Sequence, residues 1–238
     1  MILFCLITSL YVGILLYMRP SPDSLKAAPI TFSQNFTRIK ASLFSGVLFL
    51  VVFLITSNLT FTVIDERFCR ILALSNVGGF SFLWPLQSIT HLFIHFNLLH
   101  VITNVTCLGM ASAYERKVGS YRFLTVFAIS GLASIPSILF YSDATVICGV
   151  SGGIFGLAAA YFTDDENLTL KEWVYAIIIF SLLAGLFALE GELRSNSSKN
   201  LQLRVDHIGH IFGAIGAIIY CRLKPAQVES ERESGMLT

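Results

Sequence analysis

Serine and histidine, the two residue types that can form a nucleophile and its base, stand in this sequence where other polar side chains are scarce. Ser151 lies in the short run Gly149-Val150-Ser151-Gly152-Gly153. All five histidines fall in two groups, with His91, His95 and His100 in the first and His207 and His210 in the second. A serine hydroxyl becomes an effective nucleophile only if an adjacent base accepts its proton, and imidazole is the usual base. The pattern therefore predicts covalent catalysis with Ser151 as nucleophile and His210 as general base.

Donors that could stabilise an oxyanion lie in the first histidine group. Asn104 follows His100 by four residues, so on a helix the two side chains share a face. Together with the backbone N–H of Ser151, they would donate hydrogen bonds to the oxygen of a tetrahedral intermediate. Each residue alone has a structural explanation, because a helical serine often bonds a backbone carbonyl and a buried Asn or His often joins two helices. The prediction depends on the elements that bring these residues together.

The composition predicts that these elements are membrane-spanning helices. Of the 238 residues, 55% are hydrophobic and 13% are charged, whereas about 25% are charged in soluble domains. Apolar runs of roughly 20 residues, long enough to span a bilayer, recur along the chain. Reading these runs between charged breaks predicts seven helices, at 2–18, 42–63, 95–114, 121–140, 147–162, 173–189 and 207–221. The predicted fold class is an all-α, polytopic membrane helix bundle.

The predicted helices place the candidate residues at a common depth. With 1.5 Å of rise per residue, Ser151 and His210 each lie roughly 16 Å from the polar ends of their helices. Asn104 and His100 lie roughly 15 and 21 Å from the end of theirs. His207 is one turn nearer the outer surface and is expected at a water-accessible rim. One layer of the bundle can therefore hold Ser151, His210, Asn104 and His100.

Glycine spacing provides the close approach that a hydrogen bond between Ser151 and His210 requires. Gly152 and Gly156 form a small-xxx-small pair on the serine helix, and Gly209 and Gly213 form another on the histidine helix. Such pairs let helix backbones pack closely. The two helices are therefore expected to be in direct contact.

The distribution of Lys and Arg predicts the orientation, because basic loops tend to remain cytoplasmic. With the N-terminus outside, eleven of the 16 basic residues fall on the cytoplasmic side, and the loops 64–94 and 190–206 face outward.

We divide the chain into an N-terminal transmembrane helix with a cytoplasmic linker (1–40), a six-helix core (41–224) and a polar tail expected to be disordered (225–238). We expect the protein to be integral to the cell membrane, with an organelle membrane as the alternative.

In their order along the chain, these residues resemble motifs of the rhomboid intramembrane serine proteases. His100 and Asn104 resemble the HxxxN pair of that family, and Gly149-Val150-Ser151-Gly152 resembles its GxSG nucleophile motif. His210 with Gly213 is similar to its histidine helix, and Tyr114-Glu115-Arg116 followed by Gly119-Ser120 is similar to the loop after its second core helix. The resemblance covers residues from about 42 to 222.

The resemblance implies a six-helix core, here with one extra N-terminal transmembrane helix, that works in the lipid bilayer. The implied activity is serine endopeptidase cleavage of transmembrane protein substrates, in or near their membrane helices, by a Ser151–His210 dyad without a third carboxylate. Asn104 and His100 would act at the oxyanion hole. No metal or cofactor is implied.

The resemblance also assigns residues around the site. His95, Glu115 and Arg116 are expected to be structural. Phe155 replaces a tyrosine found in some members of the family, and its ring is expected to pack against His210. Asp206, one turn before His210, is expected to lie at the membrane interface rather than to orient the base.

Other functions fit parts of the pattern. A catalytically inactive rhomboid-like protein would bind transmembrane helices, but such proteins usually lack the serine or the histidine. A bis-histidine haem or metal protein would use His95 or His100 together with His207 or His210 as ligands. A transporter is disfavoured, because the predicted spans contain no Asp, Glu or Lys, and their one Arg, Arg122, stands at the end of its span. The net charge of +1 gives no indication of a nucleic-acid partner.

Overall fold

The computed structural model describes residues 1–20, 30–77, 79, 81–141, 145–165, 168–195 and 205–226. This part of the chain forms eight α-helices: α1 Ile2–Tyr17, α2 Phe32–Thr56, α3 Glu66–Leu72, α4 Trp84–Thr90, α5 Leu98–Ser134, α6 Ser151–Thr163, α7 Leu170–Ser195 and α8 His207–Leu223. A 3-10 helix, Ile135–Phe140, follows α5, and strands β1 Leu74–Ser75 and β2 Val146–Ile147 form an antiparallel pair. Part of the predicted linker and nearly all of the predicted tail 225–238 lie outside the described residues.

Three helical segments are long and apolar enough to cross a membrane: Phe32–Thr56, Leu98–Phe140 and Leu170–Leu193. The apolar helices α1 and α8 are shorter. The predicted class, an all-α polytopic membrane bundle, is confirmed, while the count of six core helices and one extra helix stays a prediction. Helices α3 and α4 were not predicted, and both lie within the long loop that was expected to face outward.

The longest helix, α5, consists of two arms that meet at Gly119. Gly119 has φ 80° and ψ 162°, a conformation that only glycine adopts readily. Tyr114, before the break, and Arg122, after it, both bond Asp164, so the two arms run antiparallel. They correspond to the separate helices predicted at 95–114 and 121–140. The second arm ends earlier than predicted, because Pro136 lies in the following 3-10 helix.

The start of α2 at Phe32, ten residues before the predicted start at 42, has a local cause. Thr31 and Gln34 form a capping box in which each side chain bonds the other residue's backbone N–H, so the first turn is satisfied. The predicted start coincides instead with a contact from α5. The fully buried carboxylate of Glu115 accepts hydrogen bonds from the backbone N–H groups of Ala41 and Ser42, at 2.7 and 2.8 Å.

Glu115 and Asp164 hold together one end of the bundle, which we call the tail end (residues 18–20, 115–122, 164–165 and 223–226). Glu115 also accepts from the hydroxyls of Ser42 and Ser120, at 2.6 and 2.7 Å. Asp164 accepts from Arg122 at 2.5 and 2.6 Å and from Tyr114 at 2.5 Å. Burial alone would raise the pKa of Asp164, but these bonds hold it below its ordinary value. Two buried carboxylates, each fully bonded, therefore join α2, α5 and α6.

At the opposite end, which we call the loop end (57–77, 81–97 and 145–150), short backbone contacts organise the chain. Leu74 pairs with Ile147 and Ser75 with Val146 in the two-stranded sheet. The Asn76 side chain accepts from the Thr145 backbone N–H at 2.7 Å. The segment that leads into α6 is therefore extended, and α6 begins at Ser151 instead of the predicted 147.

Helix α6 packs against α5 and α8 through glycine, as the spacing predicted. A Cβ atom added at Gly213 of α8 would lie 2.2 Å from the backbone oxygen of Gly152, and one added at Gly156 would lie 3.0 Å from the oxygen of Gly213. The same Gly156 Cβ would lie 1.9 Å from the Ser130 hydroxyl of α5. Three helices meet at these positions with no room for a methyl group.

This packing predicts that Gly156→Ala destabilises the protein by about 1–3 kcal/mol, since the added methyl must displace Ser130 and the α8 backbone. Gly185→Ala on α7 is the matched control, because a Cβ at Gly185 meets nothing within 4 Å and alanine is the better helix former. Thermal unfolding in detergent should show a melting temperature several degrees lower for Gly156→Ala only. Equal melting temperatures would contradict this description of the interface.

Candidate active site

Ser151 and His210 are in hydrogen-bond contact. Ser151 is the first residue of α6 and His210 lies in the first turn of α8. The distance between Ser151 Oγ and His210 Nε2 is 2.8 Å, and both residues are buried. An imidazole nitrogen at this distance can accept the hydroxyl proton if its Nε2 is unprotonated. The predicted common depth of the two residues agrees with this contact.

The depth of Ser151 follows from the shortness of α6. Its 13 residues span about 20 Å, whereas the 26 residues of α7 span about 39 Å. Helix α6 ends and α7 begins at the tail end, so Ser151 lies about 20 Å from that end, inside the bundle. Because α6 is short, its N-terminal residue Ser151 lies within the bundle.

The turn before Ser151 requires glycine. Gly149 has φ 106°, a region that disfavours side chains, and a Cβ atom there would lie 2.8 Å from the His100 ring. The Gly149 backbone N–H donates to the carbonyl of His91 at 2.8 Å. Sheet pairing on one side and the His91 carbonyl on the other hold the turn, which places Ser151 at the N-terminus of α6.

Aromatic rings hold the His210 imidazole in place. Phe155, one turn after Ser151, stacks on it with ring centroids 4.1 Å apart and an interplanar angle of 11°, as expected from the sequence. Phe187 of α7 contacts the same ring at 5.3 Å and 60°. His210 Nδ1 has no hydrogen-bond partner among the described residues. The ring is therefore oriented by packing and by Ser151.

Asp206 does not orient His210. Its carboxylate accepts hydrogen bonds from the Gly209 backbone N–H, from the Ser137 hydroxyl and from the Tyr141 hydroxyl, at 2.8, 2.6 and 2.9 Å. It thereby caps α8 and joins it to the 3-10 helix. Burial raises the pKa of this carboxyl in spite of the three donors.

Asn104 and His100 face the glycine turn beside Ser151. The position of a Gly149 Cβ would be 2.8 Å from His100 Nε2 and 3.9 Å from Asn104 Nδ2. Asn104 Nδ2 donates to the His100 carbonyl at 2.9 Å and keeps a second N–H. The Phe96 backbone N–H donates to His100 Nδ1 at 3.4 Å, which leaves the proton of a neutral imidazole on Nε2. Both side chains can thus present donors toward the start of α6.

The other histidines do not contact Ser151 through hydrogen bonds. His207 is exposed, and its ring lies perpendicular to His210 with centroids 5.8 Å apart. His95 is fully buried and packs edge-on against His100 at 5.1 Å. His91 Nδ1 is 2.8 Å from the Gln87 carbonyl. Within the described residues no group of three or more His, Cys, Asp or Glu could hold a metal ion.

Sequence reasoning missed several residues that shape this site. Phe187 was one apolar residue among many in α7, and the contact of its ring with His210 depends on the tertiary fold. Ser134 leaves no room for a side chain at position 152 of α6, because a Cβ atom added at Gly152 would lie 2.6 Å from the Ser134 Cβ. The His91 contribution is a backbone carbonyl, which leaves no signal in the sequence.

Comparison with known proteins places the chain in a family. The family model described as the Rhomboid domain matches residues 81–225, more than half of the chain, and the match includes every candidate site residue described above. No curated protein matches the sequence. The chain therefore belongs to the rhomboid family of intramembrane proteases and their inactive relatives.

Proposed function

We propose that the protein is an intramembrane serine endopeptidase that hydrolyses peptide bonds in or near the transmembrane helices of membrane proteins. The observation that carries the proposal is the 2.8 Å contact between Ser151 Oγ and His210 Nε2 in a buried layer of the bundle. Ser151 is the nucleophile and His210 the general base. A purely structural serine in a helix would bond a backbone carbonyl.

The chemistry proceeds in two acyl-transfer steps. Ser151 Oγ attacks the carbonyl carbon of the scissile bond while His210 Nε2 takes the hydroxyl proton, and a tetrahedral oxyanion forms. His210 then donates this proton to the departing amine as the C–N bond breaks, which leaves an acyl ester on Ser151. Water, with its proton accepted by His210, hydrolyses the ester and releases the second product. As the ester bond to Ser151 breaks, His210 passes the proton taken from water to Ser151 Oγ, so the enzyme is regenerated.

Imidazolium forms transiently in this scheme, and its stabilisation comes from an aromatic ring rather than from a carboxylate. The Phe155 ring stacks on His210 at 4.1 Å, and aromatic faces attract cations. The nearby Asp206 carboxylate is bonded to Ser137, Tyr141 and Gly209. A dyad without a third carboxylate is consistent with both observations.

The oxyanion is stabilised by donors that converge on the start of α6. The first backbone N–H groups of a helix lack intrahelical partners, and the helix dipole favours negative charge there. Asn104 and His100 add side-chain donors next to the Gly149 turn. In a buried site of low dielectric constant, such preorganised donors stabilise the transition state strongly.

An inactive relative would share the fold and bind transmembrane helices without cutting them. The arrangement of Ser151, His210 and the surrounding donors favours the protease, since helix binding alone has no need of a serine in contact with an imidazole. Cleavage of a reporter transmembrane substrate distinguishes the two functions directly.

Ser151→Ala should reduce cleavage of a reporter transmembrane substrate to background, because among the described residues Ser151 Oγ is the one hydroxyl or thiol in hydrogen-bond contact with the His210 ring. The variant should keep a melting temperature close to wild type, since one hydroxyl leaves little cavity. Ser181→Ala is the matched control: this exposed α7 serine bonds only the Ile177 carbonyl, and its loss should leave the rate unchanged. Substantial cleavage by Ser151→Ala would refute the proposed mechanism.

His210→Ala should remove both cleavage and labelling of Ser151 by a fluorophosphonate probe, while His207→Ala should preserve most of both. Only His210 reaches the serine hydroxyl, whereas His207 is exposed at the rim. In-gel fluorescence of the labelled protein, compared with the cleavage rate, measures the two effects. If His207→Ala were the inactive variant, the assignment of the base would be wrong.

Asn104→Ala should lower kcat by roughly 10²–10³ with retained folding, the usual effect of removing one oxyanion donor. The effect should fall mainly on kcat, because the hydrogen bond to the oxyanion strengthens in the transition state. Steady-state cleavage kinetics in detergent micelles measure both parameters. An unchanged kcat would contradict this role and would show that the Asn104 side chain serves only its structural hydrogen bond to the His100 carbonyl.

A further inference from the structure

A groove of about 1200 Å³ runs between α1 and the first arm of α5, away from the candidate active site. Its walls are apolar, formed by Ile7, Leu10 and Ile14 of α1 and by Ile102, Val105 and Met110 of α5. Leu10, Ile14 and Met110 are each more than half exposed. The groove therefore offers apolar surface to its surroundings along α1 from Ile7 to Tyr17, a length of about 15 Å.

The tail end of this groove carries four cations. They come from three separate elements, and they are Arg19, Arg38, Arg116 and Lys117. No acidic side chain among the described residues lines the groove. A long apolar groove with a cluster of positive charge at one end matches an amphiphile with an anionic head and hydrocarbon tails.

The cations differ in how far their charge is already neutralised. Arg116 donates to Asn35, Ser112 and the Met18 carbonyl, and none of these acceptors is charged. The neighbouring Glu115 faces α2, where it accepts three hydrogen bonds, and it accepts a fourth from the Ser120 hydroxyl of α5. These three hydrogen bonds hold the Arg116 guanidinium in position, and no carboxylate among the described residues forms a direct ion pair with it.

Lys117 faces Asp165 at 3.9 Å, which leaves it partly compensated. Arg19 donates to the Ile30 carbonyl at 2.9 Å and lies over the Phe32 ring. Neither contact is an ion pair, so neither neutralises its charge. Arg38 is exposed and makes no hydrogen bond or ion pair within the described part of the chain. The cluster therefore keeps a net positive charge, with Arg38 the cation most available to a ligand.

We propose that this groove binds an anionic glycerophospholipid, with the phosphate at Arg38, Arg19 and Lys117 and the acyl chains along Leu10, Ile14 and Met110. Guanidinium groups bind phosphate oxygens in a bidentate geometry. Basic pockets between membrane helices are suited to anionic headgroups of the cytoplasmic leaflet, and the distribution of Lys and Arg predicts that the tail end lies on the cytoplasmic side. The bound lipid would fill the space between α1 and the core.

A transmembrane helix of a partner fits this groove less well. Membrane helices tend to carry Lys and Arg on the cytoplasmic side, and these would be repelled by the four cations. Charge thus favours a lipid.

The test measures lipid binding by the full chain in detergent, with native mass spectrometry as readout. Dioleoylphosphatidylglycerol is the probe, dioleoylphosphatidylcholine the zwitterionic control and glycerol phosphate the headgroup without chains. We expect retained binding of phosphatidylglycerol alone. Arg38→Gln should weaken this binding about fivefold, as expected for removal of one cation near a headgroup. Lys40→Gln, the same charge change on an exposed residue of α2 outside the groove, should leave it unchanged.

A second pair of variants tests the apolar part. Met110→Trp places a larger ring in the groove and should weaken phosphatidylglycerol binding, whereas Leu124→Trp, on the second arm of α5 and outside the groove, should not. Equal binding of the two lipids would overturn the proposal, as would equal effects of Arg38→Gln and Lys40→Gln. Unaltered binding by Met110→Trp would show that lipid contacts only the charged rim, which also contradicts it. None of these outcomes depends on proteolytic activity.

Discussion

The close approach of α6 and α8 is the constraint on which the site depends. The distance of 2.8 Å between Ser151 Oγ and His210 Nε2 exists only because the two backbones meet at Gly152, Gly156 and Gly213. A single methyl group at Gly213 would lie 2.2 Å from the Gly152 carbonyl oxygen, so larger residues would force the helices apart. Small residues at an interface between membrane helices give contact by van der Waals packing, where lipid provides no hydrophobic drive. Here the same contact sets the geometry of a hydrogen bond.

Polar groups within this apolar bundle are placed where they are fully bonded or where they are needed for chemistry. Glu115 and Asp164 each accept several hydrogen bonds at the tail end, which offsets the cost of burying charge. By contrast, His210 Nδ1 and Asn104 Oδ1 lack partners among the described residues. Unsatisfied buried groups are costly, and the presence of these two beside Ser151 fits a site whose polar atoms serve a reaction rather than stability.

Helix α1 is attached to the core in a different way. Its contacts with α2 include the Tyr11 hydroxyl, which donates to the Ser42 carbonyl at 2.8 Å, and Asn35 Nδ2, which donates to the carbonyls of Leu15 and Leu16. Beside these bonds the groove toward α5 remains open. A lipid in the groove would complete the packing of α1, so the stability of this helix would depend on the composition of the membrane.

The sequence by itself determined the class of fold and the candidate residues of the site. Apolar runs and few charges required membrane helices, because backbone polar groups in lipid must be bonded internally. Glycine spacing and helical rise placed Ser151 and His210 at one depth, since both quantities are local and periodic. The capping box of Thr31 and Gln34 is likewise a local pattern, but the prediction from hydropathy, which started the helix at 42, did not use it.

Only the tertiary structure decided how these residues are supported. The positions of Phe187 against His210 and of the His91 carbonyl against Gly149 depend on contacts between elements distant in sequence. A backbone carbonyl has no residue type, and one phenylalanine in an apolar helix looks like any other. Likewise, Glu115 bonds α2, and Asp206 bonds the 3-10 helix instead of His210. A carboxylate's partner is decided by three-dimensional proximity, which no local pattern in the chain records.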